Sequence, residues 1–435
     1  MRNDISEGLR EFLAGNPALL ELGGLLESGN ECFLVGGAVR DLLLRRPAPD
    51  IDLATPRDPA PLARRFAVAL RGTFFFLDQE RGHSRVVVRR EGRATAFDFA
   101  PFRAPDLKGD LAARDFTINA LAWPLHLPPE EAALVDPLGG CRDLERGLLR
   151  CCGPEVLRDD PLRVLRGVRL AVYFDLAIED QTRELMAAAV LGLHRVASER
   201  ILAELGKVFS FPCALRGAEL LRELGCFPVL FGPAVGGAER IAAGLALLRE
   251  VAASLAAGRW DWLGTEKEAG WDGAALLRLA AVLRGIGVAW EDEKLRGLPS
   301  GREARRLIRE LLSVPADLLA FYRSLACSER GKALWLETLG RYPREQLIFS
   351  GILSGEGMGL CQAAWEEALS LWERFAGEGA IPPLIKAEEL VADFGVAPGP
   401  EIGRLLRELS REEISGRVAG RLQALRWLRK RLERD

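Results

Sequence analysis

"FLVGGAVRDLLLRRPAPDIDLAT", residues 33–55, joins a short β-rich run, a Gly-Gly break, a helical pattern and two closely spaced aspartates. An apolar run, Phe33-Leu34-Val35, breaks at two glycines, and a helical pattern starts from Ala38. Glycines permit close backbone approach. The helix N-terminus that follows offers free N–H groups and the positive end of the helix dipole. Gly36 and Gly37 are therefore candidates for seating a phosphate, and Arg40, one turn in, can add a charged fork to the same anion. A Gly-Gly turn alone is as readily structural, and the "DID" triplet adds what it lacks. On a strand, residues i and i+2 share a face, so Asp50 and Asp52 converge while Ile51 and Leu53 turn to the core. Two close carboxylates repel unless a cation sits between them, and Mg²⁺ takes one or two carboxylates together with phosphate oxygens. The plainer alternative is an Asp-rich turn beside Pro47 and Pro49. A third carboxylate, Asp98, sits in the alternating pattern "TAFDFAPFR" (95–103), from which it can join the other two across a sheet.

Working outward, 435 residues with 49% hydrophobic and 28% charged content are enough for two to four domains with ample core. The first residues carry no apolar signal region. No uninterrupted apolar run approaches the roughly 18 to 20 residues that span a bilayer, so a cytoplasmic protein with no membrane partner is expected. The eight cysteines are scattered, their only close pair (Cys151, Cys152) is adjacent, and no CxxC metal or redox spacing occurs. The three histidines, His83, His126 and His194, are none of them followed by Asp, which excludes an HD-type phosphohydrolase. A net charge of −3 argues against indiscriminate nucleic-acid binding and leaves room for a local basic surface. Seven Arg or Lys residues between Arg417 and Arg434, against one Glu, mark either such a surface facing RNA or a solvated helix face.

The fold class expected is α+β. Residues 1–150 mix β-rich runs (CFLV, GTFFFL, RVVVRR, TAFDFAPF) with helical pieces, giving a head with a small mixed sheet. Beyond about residue 150, stretches such as "DPLRVLRGVRLAVYF" and "GREARRLIRELLSV" carry three-to-four-residue apolar spacing and predict an all-α neck (151–212), body (213–375) and tail (376–435). Two intervals, 256–273 and 377–385, are expected as loops between helices. In the tail, Pro398, Gly399 and Pro400 precede a helix expected to begin near Glu401.

GGAVRD and DID are followed in order by "ARDFTINALAW" (113–123), "DPLGGCRDLERGLLR" (136–150), "RDDPLRVLRGVRLA" (158–171) and "ASERILAELGKVF" (197–209). This series resembles that of the tRNA nucleotidyltransferase and bacterial poly(A) polymerase family, class II of the polymerase β superfamily, over about residues 30–210. The tail segment "LVADFGVAPGPEIGRLLREL" (390–409) resembles the family more faintly. The resemblance implies template-independent transfer from CTP to the 3′ end of tRNA with release of pyrophosphate. It makes Asp50 and Asp52 holders of two Mg²⁺ ions, one acidifying the RNA 3′-hydroxyl and the other neutralising the triphosphate. Asp98, read from its strand pattern, is the third catalytic candidate beside them, as metal ligand or as base. Gly36, Gly37 and Arg40 would hold phosphate, and Arg114 would lie by the nucleotide's sugar and phosphates, with Asp115 and Asn119 organising its turn. Neck residues would recognise the base, and body and tail would hold the tRNA acceptor arm by shape and backbone.

Asp160, Arg163, Arg166 and Arg169 recur at intervals of three, a slowly rotating ridge on one predicted helix. Asp160 offers acceptors and Arg163 donors, so the pair can match the Watson–Crick edge of cytosine or adenine. Arg166 and Arg169 are left for phosphate or packing, and an exposed basic face paired with nearby acids is the alternative. The similar spacing at Glu179, Asp180 and Arg183 lacks an arginine ladder and reads as a helix start.

The chain departs from the family pattern at three places. Ala113 stands where a second arginine is usual, Asp159 stands where Glu is usual, and only the ten residues 104–113 separate Arg103 from Arg114. Family members that add both C and A usually have a longer, flexible interval there, so the short one points to a CC-adding enzyme. The alternatives are a complete CCA-adding enzyme that also takes ATP, a poly(A) polymerase, and an RNA-binding protein without catalysis. Oligomeric state is not legible in the sequence.

Overall fold

The alternation of apolar and polar residues around "DID" and "FDF" sets the central sheet. The computed structural model describes residues 12, 16–26, 30–47, 50–90, 93–128, 131–232, 235, 237–257, 263, 266–268, 271–287, 301–324, 328–355, 358–376 and 381–433; the side chains at 50, 90, 93, 257, 266–268, 358 and 359 are not described. Six strands, β1 (Phe33–Val35), β2 (Asp50–Thr55), β3 (Thr73–Asp78), β4 (His83–Arg90), β5 (Arg93–Pro101) and β6 (Ala122–Pro124), form one sheet in the order β3-β4-β5-β2-β1-β6. The β2/β5 pair is parallel and the other pairs are antiparallel, so the sheet is mixed, as expected.

One face of this sheet is core. Ile51, Leu53, Val86, Val88, Phe97 and Phe99 are at most 4% exposed. They pack against α1 (Pro17–Gly24) and against α3 (Ala60–Ala69), with α2 (Gly37–Leu43) leaving β1 between them in the chain. Phe66 of α3 meets Phe97 and Phe99 edge-on, at ring-centroid distances of 4.9 and 5.7 Å. Full burial of such a side chain contributes about 2–3 kcal/mol. With one face committed to the core, Asp52 and Asp98 emerge on the other.

Between β5 and β6 the chain forms α4 (Leu107–Ala112), capped by Asp106, whose carboxylate accepts the Gly109 N–H at 2.7 Å. A 3₁₀ turn, Thr117–Asn119, leads into β6. Helix α5 (Gly140–Glu145) and the short parallel pair β7 (Leu148–Leu149) and β8 (Ala177–Ile178) follow. Helices α6 (Glu155–Asp159), α7 (Leu162–Tyr173), α8 (Asp180–Ala189) and α9 (Ser198–Ser210) come next. On α7 nearly every residue from Leu162 to Val172 is buried except Arg163, Arg166 and Arg169, which are half-buried. The ridge is therefore the one polar stripe of an otherwise buried helix.

The described residues form two compact units: residues up to Glu204 with Glu223–Val229, and Leu205–Arg222 with the residues from Leu230 onward. Helices α10 (Ala214–Glu223) and α11 (Cys226–Phe231) carry the chain onward. After them the second unit is helical: α12 (Ala238–Ala257), α13 (Gly273–Gly285), α14 (Arg302–Ser313), α15 (Leu318–Ser324), α16 (Glu329–Thr338), α17 (Pro343–Leu353), α18 (Met358–Ala376), α19 (Ala387–Ala392), α20 (Pro400–Ile414) and α21 (Arg421–Leu432). The exception falls in the interval 256–273 read as a loop, where Glu266–Glu268 pairs with Trp271–Asp272 in a short antiparallel ladder. The tail has its own core of Ile385, Leu390, Leu405, Leu409, Ala424 and Leu428. Of the C-terminal cations, Arg417, Arg421 and Arg431 pair with Glu412, Glu389 and Glu408, whereas Arg426, Arg429 and Lys430 are exposed. No helix among the described residues is long and apolar enough to cross a membrane.

Candidate active site

The carboxylates come together through strand register. Asp52 lies directly opposite Asp98 in the parallel β2/β5 pair, and Asp50 lies opposite Ala96. Directly paired residues share a face, so Asp52 and Asp98 project side by side. Asp50 is two residues before Asp52 on β2, and its side chain lies outside the described ones. On the far side of Asp98, Arg85 of β4 is in register with it and grips it bidentately, Nε to Oδ1 at 2.6 Å and Nη2 to Oδ2 at 2.7 Å.

At the end of β1, Gly36 takes φ +74° and donates its N–H to the Leu121 carbonyl at 3.1 Å. A Cβ there would stand 3.0 Å from Arg114 Nη1 and 3.5 Å from Asp52 Oδ2, so the glycine lets a guanidinium and a carboxylate close over the turn. Arg40 lines the cleft, but its guanidinium is already engaged. It donates to Asp41 Oδ1 at 2.9 and 2.8 Å and to Asn119 Oδ1, and lies 4.3 Å from the Phe174 ring centroid. Burial, partly offset by Asp41, pushes the Arg40 pKa down. The sequence cast Arg40 as a phosphate fork; the geometry makes it first a strut between α2, the Asn119 turn and the end of α7.

The "ARDFTINA" segment is held from two sides. Asp110 on α4 is 1% exposed and accepts from the Arg103 backbone N–H at 3.0 Å and from Arg114 Nε and Nη2 at 3.2 and 2.9 Å. Asp115 accepts from the Phe116 N–H at 2.9 Å and the Asn119 amide at 3.0 Å. Burial opposes ionisation of Asp115, but Arg166, Asn119 and the Phe116 N–H outweigh it and hold its pKa below the usual carboxylate range. Arg166 Nη2 stands 3.0 Å from Asp115 Oδ2 without an aligned hydrogen bond, a contact of charges. From behind, Asp143 accepts from Thr117 Oγ1 at 2.6 Å and from Arg150 Nε at 3.0 Å. Asp136 caps the start of α5 through the Gly140 and Cys141 N–H groups at 2.7 and 3.0 Å. The "DPLGGCRDLERGLLR" motif thus buttresses the turn without lining the cleft.

The ridge begins just outside its helix. Asp160 has extended backbone, φ −135° and ψ 92°, because the residue before a proline is pushed out of the α region, and α7 starts after Pro161. One Asp160 oxygen accepts the Leu162 N–H at 3.3 Å and the other meets Arg200 Nη2 at 2.8 Å. Arg163 Nη1 donates to the Val156 carbonyl at 3.1 Å, and Arg169 Nε to the buried Glu204 at 2.6 Å. Glu179, Asp180 and Arg183 do not line the cleft. Glu179 accepts from Thr182, and Arg183 pairs with Glu223.

All of these meet in one cleft of about 430 Å³, lined by Gly36, Gly37, six arginines (Arg40, Arg103, Arg114, Arg163, Arg166, Arg169) and four aspartates (Asp52, Asp98, Asp115, Asp160). Every predicted site residue with a described side chain lines it. The lining is partly segregated: Asp52 and Asp98 stand on the sheet, whereas all six guanidinium groups come from outside it, on α2, the segment after β5, the "ARDF" turn and α7, with Asp115 and Asp160 among them. Such a site suits an anion-rich ligand bridged to the sheet by cations. Sequence reasoning missed Arg85, Asp110, Arg200 and Glu204, each of which fixes a predicted residue. It also missed His83, a lining residue whose pKa is pushed down by burial and then by Arg103.

Comparison with known proteins shows the family. Residues 32–150 match the family model of the poly A polymerase head domain, and residues 175–236 match that of a probable RNA and SrmB-binding site of polymerase A. The chain is 33% identical over 419 residues to a CC-adding tRNA nucleotidyltransferase of Geobacter sulfurreducens, covering 93% of this chain and 92% of that one. It is 31% identical over 421 residues to an A-adding tRNA nucleotidyltransferase of Deinococcus radiodurans, covering 88% and 92%. Its fold is similar to that of the Thermotoga maritima CCA-adding enzyme solved in complex with tRNA, with a TM-score of 0.67, 23% identity, and coverage of 95% and 94%. The chain is a nucleotidyltransferase belonging to the class II tRNA nucleotidyltransferase and bacterial poly(A) polymerase family.

Proposed function

We propose that this enzyme adds cytidines to the 3′ end of tRNA, transferring nucleotidyl groups from CTP, releasing pyrophosphate and using no nucleic-acid template. The observation that carries this reading is the segregated cleft, in which Asp52 and Asp98 stand on the sheet while Arg114 and the Asp160–Arg163 pair stand on other elements of the same wall. Its donor set fits Mg²⁺: the hard carboxylate oxygens of Asp52, with Asp50 two residues earlier on β2 and Asp98, braced by Arg85, in register beside it. Two such ions, when bound, acidify an RNA 3′-hydroxyl and neutralise the phosphates of an in-line displacement.

The chain's own residues do the rest. Arg114, steadied by Asp110, lies where sugar and phosphates would sit, beside Gly36. Arg200 and the Leu162 N–H hold the Asp160 carboxylate in one orientation, from which it accepts the exocyclic amine of the base. Arg163 supplies the donors that cytosine's remaining Watson–Crick acceptors need.

Restriction to CC is supported by the link from Arg103 to Arg114. In place of a long loop it is a single short helix, capped by Asp106 and pinned by Asp110. A site so fixed has little freedom to reshape itself for a second base. Complete CCA addition is the second reading, because an Asp–Arg pair also matches the edge of adenine. Incorporation of labelled CTP into tRNA ending before CCA, dependent on Mg²⁺, tests the proposal. Polymerisation of AMP on unrelated RNA, with CTP ignored, would overturn it.

A further inference from the structure

The row of paired residues that carries the carboxylates continues past them. Asp52, Asp98, Arg85 and Phe75 are directly opposite one another across β2, β5, β4 and β3, so all four leave the sheet on one face. Phe75 is 41% exposed and Leu77 50%, and Leu77 lines the cleft. Phe74 and Phe76 turn to the opposite face, where the Arg64 guanidinium lies 4.4 and 5.5 Å from their ring centroids. Strand β3 is also the edge of the sheet. Bare large apolar side chains on an edge strand invite aggregation, and proteins ordinarily cover or charge them.

We propose that Phe75 and Leu77 form the platform on which the terminal bases of the RNA being extended stack. This deepens the nucleotidyl-transfer reading and rests on it. Gly36 and Arg114, the residues assigned to the incoming nucleotide's sugar and phosphates, follow β1 or precede β6, at the opposite end of the strand order from β3. The carboxylates stand between. An in-line displacement brings the attacking oxygen from the side opposite the leaving group, so the RNA end approaches from the β3 side. Arg85, with its side chain 34% exposed, lies between Asp98 and Phe75 in that row and grips Asp98, and Arg81, 80% exposed, lies in the β3–β4 turn with Asp78 and Glu80. Every base has a π-face, so an exposed aromatic ring beside the carboxylates accepts a single-stranded end whatever its sequence.

The test uses the full chain and tRNA ending before CCA, with 2-aminopurine as its last base. Binding to the wild-type chain quenches the fluorescence by stacking. Phe75→Ala abolishes the quench and raises the KM for tRNA about tenfold, the size of one lost base stack, while the KM for CTP stays within about twofold; Phe75→Tyr restores both readouts. An unchanged quench and tRNA KM in Phe75→Ala would overturn the proposal, as would an equal rise in the KM for CTP. A concentration-dependent dimer of the wild-type chain that Phe75→Ala dissolves would overturn it in favour of a second copy on this face. The quench is read from binding alone, so it decides the platform even if the wild-type chain transfers no nucleotide.

Discussion

Replacing Asp110 with Asn tests how the short link after Arg103 serves the site. Asp110 is buried and accepts three N–H groups, one from the Arg103 backbone and two from the Arg114 guanidinium. Asn retains one carbonyl oxygen, which can still serve Arg103, but its NH₂ then presents donors to a group that only donates. Both bonds to Arg114 are lost. A hydrogen bond to a charged group contributes about 1.5–3 kcal/mol. Arg114 stands at the wall of an open cleft and can turn partly into water, so a net loss of about 2 kcal/mol is expected for the pair. At 1.36 kcal/mol per factor of ten, that is about a 30-fold fall in kcat/KM for CTP. Steady-state kinetics on tRNA ending before CCA measure it, with the KM for tRNA as the internal control. A kcat/KM for CTP within about twofold of wild type would refute the claim that Asp110 positions Arg114. An equal rise in both KM values would refute it as well.

Three further outcomes are expected. Asp52→Asn should reduce nucleotide addition by about a thousandfold while the thermal midpoint holds, since Asp52 faces the cleft and not the core. Asp115 has its folded pKa below the unfolded value, so its pairing stabilises the protein above the unfolded pKa of about 4 and is lost as pH falls through the folded pKa. Stability curves of wild type and Asp115→Asn should therefore run parallel above about pH 5 and converge below about pH 4 in urea titrations. In Gly140→Ala the new Cβ would fall 2.1 Å from the Thr117 carbonyl oxygen, and unfolding should show about 3 kcal/mol of lost stability.

Much of this site was legible because strands repeat every two residues. Alternation alone put Asp52 and Asp98 on the face opposite Ile51 and Phe97, and the three-residue spacing of arginines exposed the polar stripe of α7. Pairings between distant segments were not legible. Arg85 grips Asp98 because β4 and β5 share a register, and nothing local to either residue announces it. Arg40 carried the reverse lesson. Its place after two glycines suggested an anion, but Phe174 arrives from the end of α7 and Asn119 from the turn before β6, and together with Asp41 they occupy its guanidinium. Asp160 kept its position but not its helix, because Pro161 forces extended backbone just before it.

Selection of cytidine by protein side chains, with the short link after Arg103 stopping addition at two, is read directly from the reaction product. The direct measurement is the intact mass of tRNA ending before CCA after incubation with this enzyme, Mg²⁺, and CTP and ATP together. The expected product is extended by two cytidylates and carries no adenylate. A product carrying the terminal adenylate, or a tail of adenylates with no cytidylate, would contradict it.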